Sequence, residues 1–137
     1  GSLKEELKPL EKIASGGELS RIMLALKVIL GESDKVATLI FDEIDTGIGG
    51  NMGGVIGEKM EKAAKTRQVI TITHLPQIAA MAGNHLNVTK KAINNKTVVN
   101  VEVLTKETRV KEIARMLGDS GKDIAVKHAK ELLKNRS

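Results

Sequence analysis

Two short apolar runs separated by an amphipathic segment most strongly constrain how this chain can fold. Residues 36–41 are apolar without alternation, as strands buried on both faces are, and residues 68–73 are rich in the β-branched residues that favour strands. Between them, a glycine-rich turn over 47–54 leads into a helix with one apolar stripe, formed by Met52, Val55, Ile56, Met60 and Ala63. This order of strand, helix and strand predicts two parallel strands joined by a right-handed crossover.

Further elements are predicted on both sides of this unit. The helix before it carries one apolar stripe, formed by Leu19, Ile22, Met23, Leu26, Ile29 and Leu30. After it we expect a short helix over 76–81 and a hairpin that turns at Asn94-Asn95. Two closing helices follow, one stopped by Gly118 and the other opened by a capping box at Ser120.

The length of the chain, 137 residues, gives room for one domain with one core. We expect a polar lead-in over 1–14, in which Gly1-Ser2 is interpreted as a remnant of cloning, followed by one lobe over 15–137. No apolar run approaches the roughly 18 residues of a membrane span, so a soluble protein is expected.

Residue usage excludes several kinds of site. Cysteine is absent and Phe41 is the only aromatic residue, which excludes disulfides, thiolate metal sites and stacking platforms for bases. The formal net charge is +5, and residues 86–137 carry the excess, with 12 Lys and Arg against 6 Asp and Glu. This asymmetry fits either a contact with a phosphate backbone or a solvated lysine-rich surface.

Polar residues that can carry chemistry follow both predicted strands. Asp42-Glu43 come directly after the first strand and His74 after the second, so parallel strands place all three at one sheet edge, where α/β proteins bind ligands. Adjacent acids suit phosphoryl chemistry, since one can hold hydrated Mg²⁺ while the other activates water. The alternative is that the acids only begin a turn, and that His74 is a hydrogen-bonded structural histidine.

Residues 15–18 (SGGE) precede the first helix and also permit two interpretations. A serine followed three residues later by a glutamate is a capping box. Alternatively, Gly16 and Gly17 bare the backbone N–H groups of a helix N-terminus, where an anion such as phosphate is favoured. A phosphate-cradling loop does not occur: Gly121-Lys122 is the only Gly-Lys pair, and Met116 stands where the first glycine belongs. The sequence therefore holds half of a nucleotide site.

Three motifs resemble those of ABC ATPases. Residues 15–19 resemble the signature motif, residues 38–43 (TLIFDE) resemble a Walker B strand, and His74 lies where the switch histidine belongs. Within these ATPases, the sequence after Glu43 resembles the SMC-like branch, because transporter subunits usually carry proline there. The hallmarks of the RecN family of bacterial DNA repair proteins are similar to four stretches of this chain: residues 12–21, 47–50, 73–77 and 112–118.

The resemblance implies an α/β fold, the C-terminal half of a P-loop NTPase-like ABC ATPase head, with a parallel βαβ core, a terminal β-hairpin and two C-terminal helices. It implies ATP and Mg²⁺ as cofactors, both of which need the P-loop lobe that this sequence lacks, so the chain alone is expected to be inactive. Asp42 would support Mg²⁺ through water, Glu43 would activate the attacking water, and His74 would contact the γ-phosphate.

The same resemblance implies the partners. Two heads would sandwich two ATP molecules, with Ser15, Gly16, Gly17 and Glu18 meeting the nucleotide on the opposite head. The other partners would be the P-loop lobe of the same protein and DNA, without a membrane, in the bacterial cytoplasm at the nucleoid. The aspartate that closes the D-loop in most relatives falls at Gly49 here, and Asp45 is the candidate substitute. The alternatives are the head of another SMC-like or ABC ATPase, or a non-catalytic dimerisation or DNA-binding module.

Overall fold

The computed structural model describes residues 16–33, 35–118 and 122–134. The chain divides into two compact units, the first ending at His74 and the second beginning at Leu75. The lead-in predicted over 1–14 lies outside the described residues, as does Ser15. The boundaries of the single lobe predicted over 15–137 therefore stay a prediction.

Within residues 16–33 and 35–74, the first unit contains two helices and two strands. They are α1 (Gly16–Leu30), followed by a 3₁₀ turn (Gly31–Ser33), β1 (Thr38–Phe41), α2 (Gly50–Ala63) and β2 (Gln68–Thr71). The two strands are parallel, with Thr38 opposite Gln68 and Phe41 opposite Thr71. The predicted strand–helix–strand order with parallel strands is confirmed, although β1 begins two residues later and β2 ends two residues earlier than expected.

One face of this sheet is buried and the other is exposed. The buried apolar residues of the unit are Leu24, Leu39, Phe41, Ile44, Ile56, Met60 and Ala63. Ile40 lies between two buried neighbours yet is 67% exposed, because successive side chains of a strand point to opposite faces. The prediction that this strand is buried on both faces is wrong for the unit as described, which covers only the face carrying Leu39 and Phe41.

The second unit begins with the short helix α3 (Pro76–Ala79), which has Pro76 in its first turn as predicted. A hairpin follows, formed by β3 (Leu86–Ile93) and β4 (Lys96–Val103). Asn94 and Asn95 have φ values of 50° and 62°, and two positive φ values in a two-residue turn match the twist of a hairpin. The hairpin predicted from the Asn-Asn pair is confirmed.

Two helices close the second unit, α4 (Lys106–Met116) and α5 (Asp123–Leu133). They pack through a core of small residues and one large one: Ala79, Ala80, Ile113, Ala114, Ala125 and Ala129. Gly118 follows α4 with φ of 106°, in agreement with its predicted role as a stop. The N-cap of α5 is Lys122, without a side-chain cap, so the start predicted at Ser120 is two residues early; Ser120 itself lies outside the described residues.

The hairpin has one apolar face that its own unit leaves uncovered. Cross-strand partners on this face are Leu86 with Val103 and Val88 with Val101, and all four side chains are more than half exposed.

Across residues 16–33, 35–118 and 122–134, no helix combines the length and apolar character needed to cross a membrane.

Candidate functional site

The loop that follows β1 places two acidic side chains at the carboxyl end of the sheet. Asp42 and Glu43 are both exposed, and Glu43 adopts a positive φ of 59°, which is uncommon for a residue other than glycine. His74 comes shortly after β2, which is parallel to β1, and its side chain is 74% exposed. The first unit therefore brings the three residues predicted for phosphoryl chemistry to one edge of the sheet, as expected.

A buried carboxylate joins the two loops at this edge. Asp45 is 3% exposed, and its Oδ2 accepts hydrogen bonds from the Thr73 hydroxyl at 2.5 Å and the His74 backbone N–H at 2.8 Å. The Nδ1 of His74 lies 2.9 Å from the same oxygen. When Nδ1 carries the proton that this contact needs, Nε2 is left for a ligand. Asp45 thus fixes the orientation of His74 relative to the loop after β1.

The hydrogen bonds around Asp45 also set its ionisation. Burial alone would raise the pKa of this carboxyl. This effect is outweighed by the hydrogen bond from Thr73, by those from the backbone N–H groups of His74 and of Asp45 itself, and by the nearby His74 ring. The pKa of Asp45 is therefore lowered from its usual value of 3.8. The group is a buried anion at neutral pH, and its described partners all lie within the chain.

Helix α1 holds the same loop from its other side. Ser20 donates from its hydroxyl to the carbonyl of Asp42 at 2.9 Å. Arg21 donates from Nη1 to the carbonyls of Ile44 at 3.0 Å and Thr46 at 2.9 Å. The sequence assigned no role to these side chains, because contacts between residues more than 20 positions apart have no local signal. The only hint in the sequence was that both residues fall in the stretch 12–21, which is similar to a RecN hallmark.

The glycine pair at the start of α1 packs against the acidic loop. A Cβ on Gly17 would lie 2.8 Å from the Glu43 carbonyl oxygen and 3.0 Å from the Cβ of Thr46, and a Cβ on Gly16 would collide with the Glu43 carboxylate. Gly17 thus has a packing reason within the chain, which the sequence interpretation missed, whereas the carboxylate beside Gly16 is the end of a flexible, exposed side chain. Glu18 is exposed in the first turn of α1, whereas Ser15 lies outside the described residues.

The carboxylates at this edge suit a magnesium ion that takes most of its ligands from waters and phosphates. In the described ranges, no three His, Cys, Asp or Glu side chains form a cluster that could hold a metal. Mg²⁺ is commonly bound by one or two carboxylates together with waters and substrate phosphates. The exposed carboxylate of Asp42 suits that arrangement, whereas Asp45, predicted as a cofactor-binding residue, is engaged with Thr73 and His74.

Comparison with known proteins gives one consistent family. The DNA repair protein RecN of Bacillus subtilis is 49% identical over 131 residues, which is 95% of this chain and 23% of that protein. The RecN proteins of Deinococcus radiodurans and Treponema pallidum are 47% and 48% identical over 94% and 95% of the chain. The chain spans less than a quarter of the length of these relatives. No protein-family model matches it.

A solved structure supports the fold. A chain from a structural study of the ATP-driven dimerisation and DNA-stimulated activation of SMC ATPases superposes with a TM-score of 0.58 at 22% identity, covering 86% of this chain and 70% of that one. The chain accordingly shares its fold, with a parallel strand pair and an antiparallel hairpin, with an SMC ATPase. From the sequence matches, at 47–49% identity, the chain corresponds to a portion of a RecN protein.

Proposed function

We propose that this chain is the C-terminal part of the ATP-hydrolysing head of a RecN-type DNA repair protein. The observation that carries the proposal is the bridge made by Asp45, whose one oxygen contacts both Thr73 and His74. That bridge holds the histidine at the sheet edge where the exposed acids Asp42 and Glu43 emerge. The P-loop that binds the phosphates comes from elsewhere in the protein, because this sequence has none.

Each residue at the edge has its own role in this proposal. Asp42 supports the hydrated Mg²⁺ that neutralises the phosphates, and Glu43 orients and deprotonates the attacking water. His74 contacts the γ-phosphate through Nε2, because Nδ1 is directed to Asp45. Asp45 is then a positioning residue rather than the substitute for the D-loop aspartate, since its carboxylate is buried within its own chain.

The start of α1 serves a second head. Ser15, Gly16, Gly17 and Glu18 meet the ATP bound on the partner, where the N–H groups and partial positive charge of a helix N-terminus favour phosphate oxygens. ATP-driven dimerisation of SMC ATPases, which share this fold, supports the arrangement. The close approach of Gly16 to the Glu43 carboxylate links the surface offered to the partner with the group that activates water in the chain's own site.

The biological role follows from the family. RecN relatives are DNA repair proteins, and the SMC ATPases of the same fold are activated by DNA. In this proposal, closing and opening of an ATP-dependent dimer of heads tethers or aligns broken DNA ends for recombination, at the nucleoid in the bacterial cytoplasm.

The test uses the full-length protein with Glu43→Gln. Loss of a general base reduces rate by roughly 10²–10⁴-fold, so hydrolysis falls by at least about 100-fold while ATP binding is retained and the closed dimer accumulates. Glu58→Gln, an exposed acid on α2, is the matched control and keeps full activity. Unchanged hydrolysis in Glu43→Gln removes this residue from its role. The 137-residue chain alone should hydrolyse no ATP.

A further inference from the structure

Arg21 lies in the second turn of α1 and contacts the loop that carries Asp42 and Glu43. Its Nη1 donates to the carbonyls of Ile44 at 3.0 Å and Thr46 at 2.9 Å. Both bonds join a cationic guanidinium to main-chain oxygens, and hydrogen bonds of this kind are stronger than those between neutral groups. One side-chain nitrogen therefore ties two points of the loop, 23 and 25 residues away in the chain, to the helix.

These bonds complete the pairing of the carbonyl groups in the loop. The Glu43 carbonyl accepts from the Thr46 N–H at 3.1 Å. The Asp45 carbonyl accepts from the Ile48 N–H at 3.3 Å. Three further carbonyls accept from side chains of α1, and they belong to residues 42, 44 and 46. Two of the five carbonyls over 42–46 are thus paired within the loop, and α1 supplies donors to the other three.

Gly17 provides the space in which the Arg21 side chain lies. The two residues are four positions apart in α1, so they share one face of the helix. A Cβ on Gly17 would lie 3.0 Å from Nη1 of Arg21 and 2.8 Å from the Glu43 carbonyl oxygen. The absence of a side chain at this buried position therefore lets the guanidinium and the loop backbone pack against the helix at the same place.

The backbone of Glu43 depends on support from its neighbours. Its φ of 59° lies in the left-handed region, which residues other than glycine rarely adopt unless their surroundings hold them. The side chain of Glu43 is exposed, so its own packing does not supply the restraint. The next residue does, since Ile44 is fully buried and its carbonyl accepts from Arg21. The place where the Glu43 side chain leaves the loop is therefore set by how the flanking backbone is held.

Arg67 has a comparable contact that is remote from this loop. It lies just before β2, is 8% exposed, and donates from Nη2 to the Gly31 carbonyl at 2.7 Å. Both arginines thus anchor main-chain carbonyls of the first unit. The acceptor of Arg67 follows the C-terminal end of α1, whereas the acceptors of Arg21 follow Glu43 directly. A comparison of the two residues separates anchoring of the fold from positioning of Glu43.

We propose that Arg21 is a positioning residue for ATP hydrolysis. It acts through Glu43, by holding the carbonyls that follow this residue so that the Glu43 carboxylate meets the attacking water. Without Arg21 the loop relaxes and the general base is misplaced, while the groups that bind ATP are unchanged. A misplacement of about 1 Å can reduce rate by about 100-fold. The inference rests on the role proposed for Glu43.

The test uses the full-length protein and compares Arg21→Gln with Arg67→Gln as the matched control. Glutamine is a good helix former, so Arg21→Gln keeps α1. Glu43→Gln and the double variant Arg21→Gln/Glu43→Gln are measured beside them. The readouts are kcat, KM for ATP, the denaturation midpoint, and hydrogen exchange of peptides that cover residues 42–48.

We expect Arg21→Gln to lower kcat by about 10–100-fold and to leave KM for ATP within about twofold of wild type, because the general base is displaced and binding is not. Exchange over 42–48 should be faster. Arg67→Gln should keep kcat within about twofold even where its denaturation midpoint falls, since its contact is remote from the loop. The double variant should be no slower than Glu43→Gln, because two changes that act through one group are not additive.

Arg21→Lys is a second variant for the case in which Arg21→Gln does not fold. Lysine keeps a cationic donor but is one bond shorter, and the two residues are not interchangeable. A kcat at least about threefold below wild type with unchanged KM then supports the inference, and a wild-type kcat overturns it.

Three results with folded Arg21→Gln overturn the inference. They are a kcat near wild type where Glu43→Gln abolishes hydrolysis, changes in kcat and KM equal to those of Arg67→Gln, and a further loss of rate in the double variant by the full factor of Arg21→Gln. Unchanged hydrolysis in Glu43→Gln would instead refute the proposed function, and this inference with it.

Discussion

The loop after β1 and the hairpin of the second unit both have polar turns with exposed residues, yet they are held in different ways. The loop is fixed by side chains from outside it, namely Ser20 and Arg21 on α1 and Thr73 after β2. The hairpin is held by its own ladder, from Leu86 opposite Val103 to Ile93 opposite Lys96, while most of its side chains stay exposed.

The loop is therefore held by polar contacts between residues far apart in the chain, whereas the hairpin is held by local strand pairing. The loop can keep Glu43 at a positive φ, because its neighbours Ile44 and Asp45 are buried and bonded. The hairpin needs only the two asparagines that its turn geometry favours. We infer that changes to the loop are transmitted to the site, whereas changes to the exposed hairpin face remain local.

The largest loss of stability is expected from Ile44→Ala. Ile44 is fully buried in the loop, and truncating such a side chain typically costs about 2–5 kcal/mol, because it loses apolar contacts and leaves a cavity. Hydrogen exchange of the β1 and β2 amides, which reports opening of the first unit, measures the loss. Ile40→Ala, at a side chain that is 67% exposed, serves as the control and should cost well under half as much. Equal effects would contradict the proposed anchoring of the loop.

The next effect is expected from Gly17→Ala. The added Cβ meets the Glu43 carbonyl oxygen at 2.8 Å, and overpacking of this kind costs about 1–3 kcal/mol. Gly54→Ala is the matched control and should instead stabilise the chain by about 0.5–1 kcal/mol. Nothing lies within 4 Å of the added Cβ, and alanine is favoured over glycine inside a helix. Chemical denaturation of both variants checks the pair. Stabilisation by Gly17→Ala would refute the close packing.

A smaller and pH-dependent effect is expected from Asp45→Asn. Because the folded pKa of Asp45 lies below 3.8, its stabilising contribution is complete above that value and is lost as the pH falls through the lowered folded pKa. The variant should therefore be less stable by about 1–2 kcal/mol at neutral pH, where charge-assisted bonds are lost, and the gap should close in acid. Denaturation at a series of pH values measures this gap. A gap that is constant with pH would exclude the anionic network.

The smallest effect is expected from Val101→Thr on the hairpin. The side chain is 58% exposed on a face that its unit leaves uncovered, and surface substitutions of this kind usually change stability by less than about 0.5 kcal/mol. The β3 and β4 amides should exchange at nearly wild-type rates. A loss above about 1 kcal/mol would show that this face is packed in the folded chain and would remove the contrast with the loop.

Sequence reasoning was sufficient wherever a local pattern decides the structure. The stripes of the helices, the β-branched strand over 68–71 and the Asn94-Asn95 turn each depend on residues close in the chain. The parallel pairing of the strands followed from the helix between them, and with it the common edge of Asp42, Glu43 and His74.

The remaining features depend on contacts that a sequence does not display. Burial of Asp45 requires Thr73 and His74, which lie 28 and 29 residues away, and the tight fit of Gly17 requires the loop around Glu43. The exposure of Ile40 contradicted an apolar run that is typical of a doubly covered strand, because burial depends on what packs against each face.

The central claim, that one ATP is served by Glu43 of its own head and by the start of α1 on another, is tested most directly by mixing two full-length variants. Ser15→Arg blocks the contact offered to the partner, and Glu43→Gln removes the group used in the chain's own site, so each variant alone should be inactive. In a symmetric dimer, random mixing restores one intact site in each mixed pair, and hydrolysis should return to about a quarter of the wild-type rate. A mixture no more active than the two separate variants would contradict the claim.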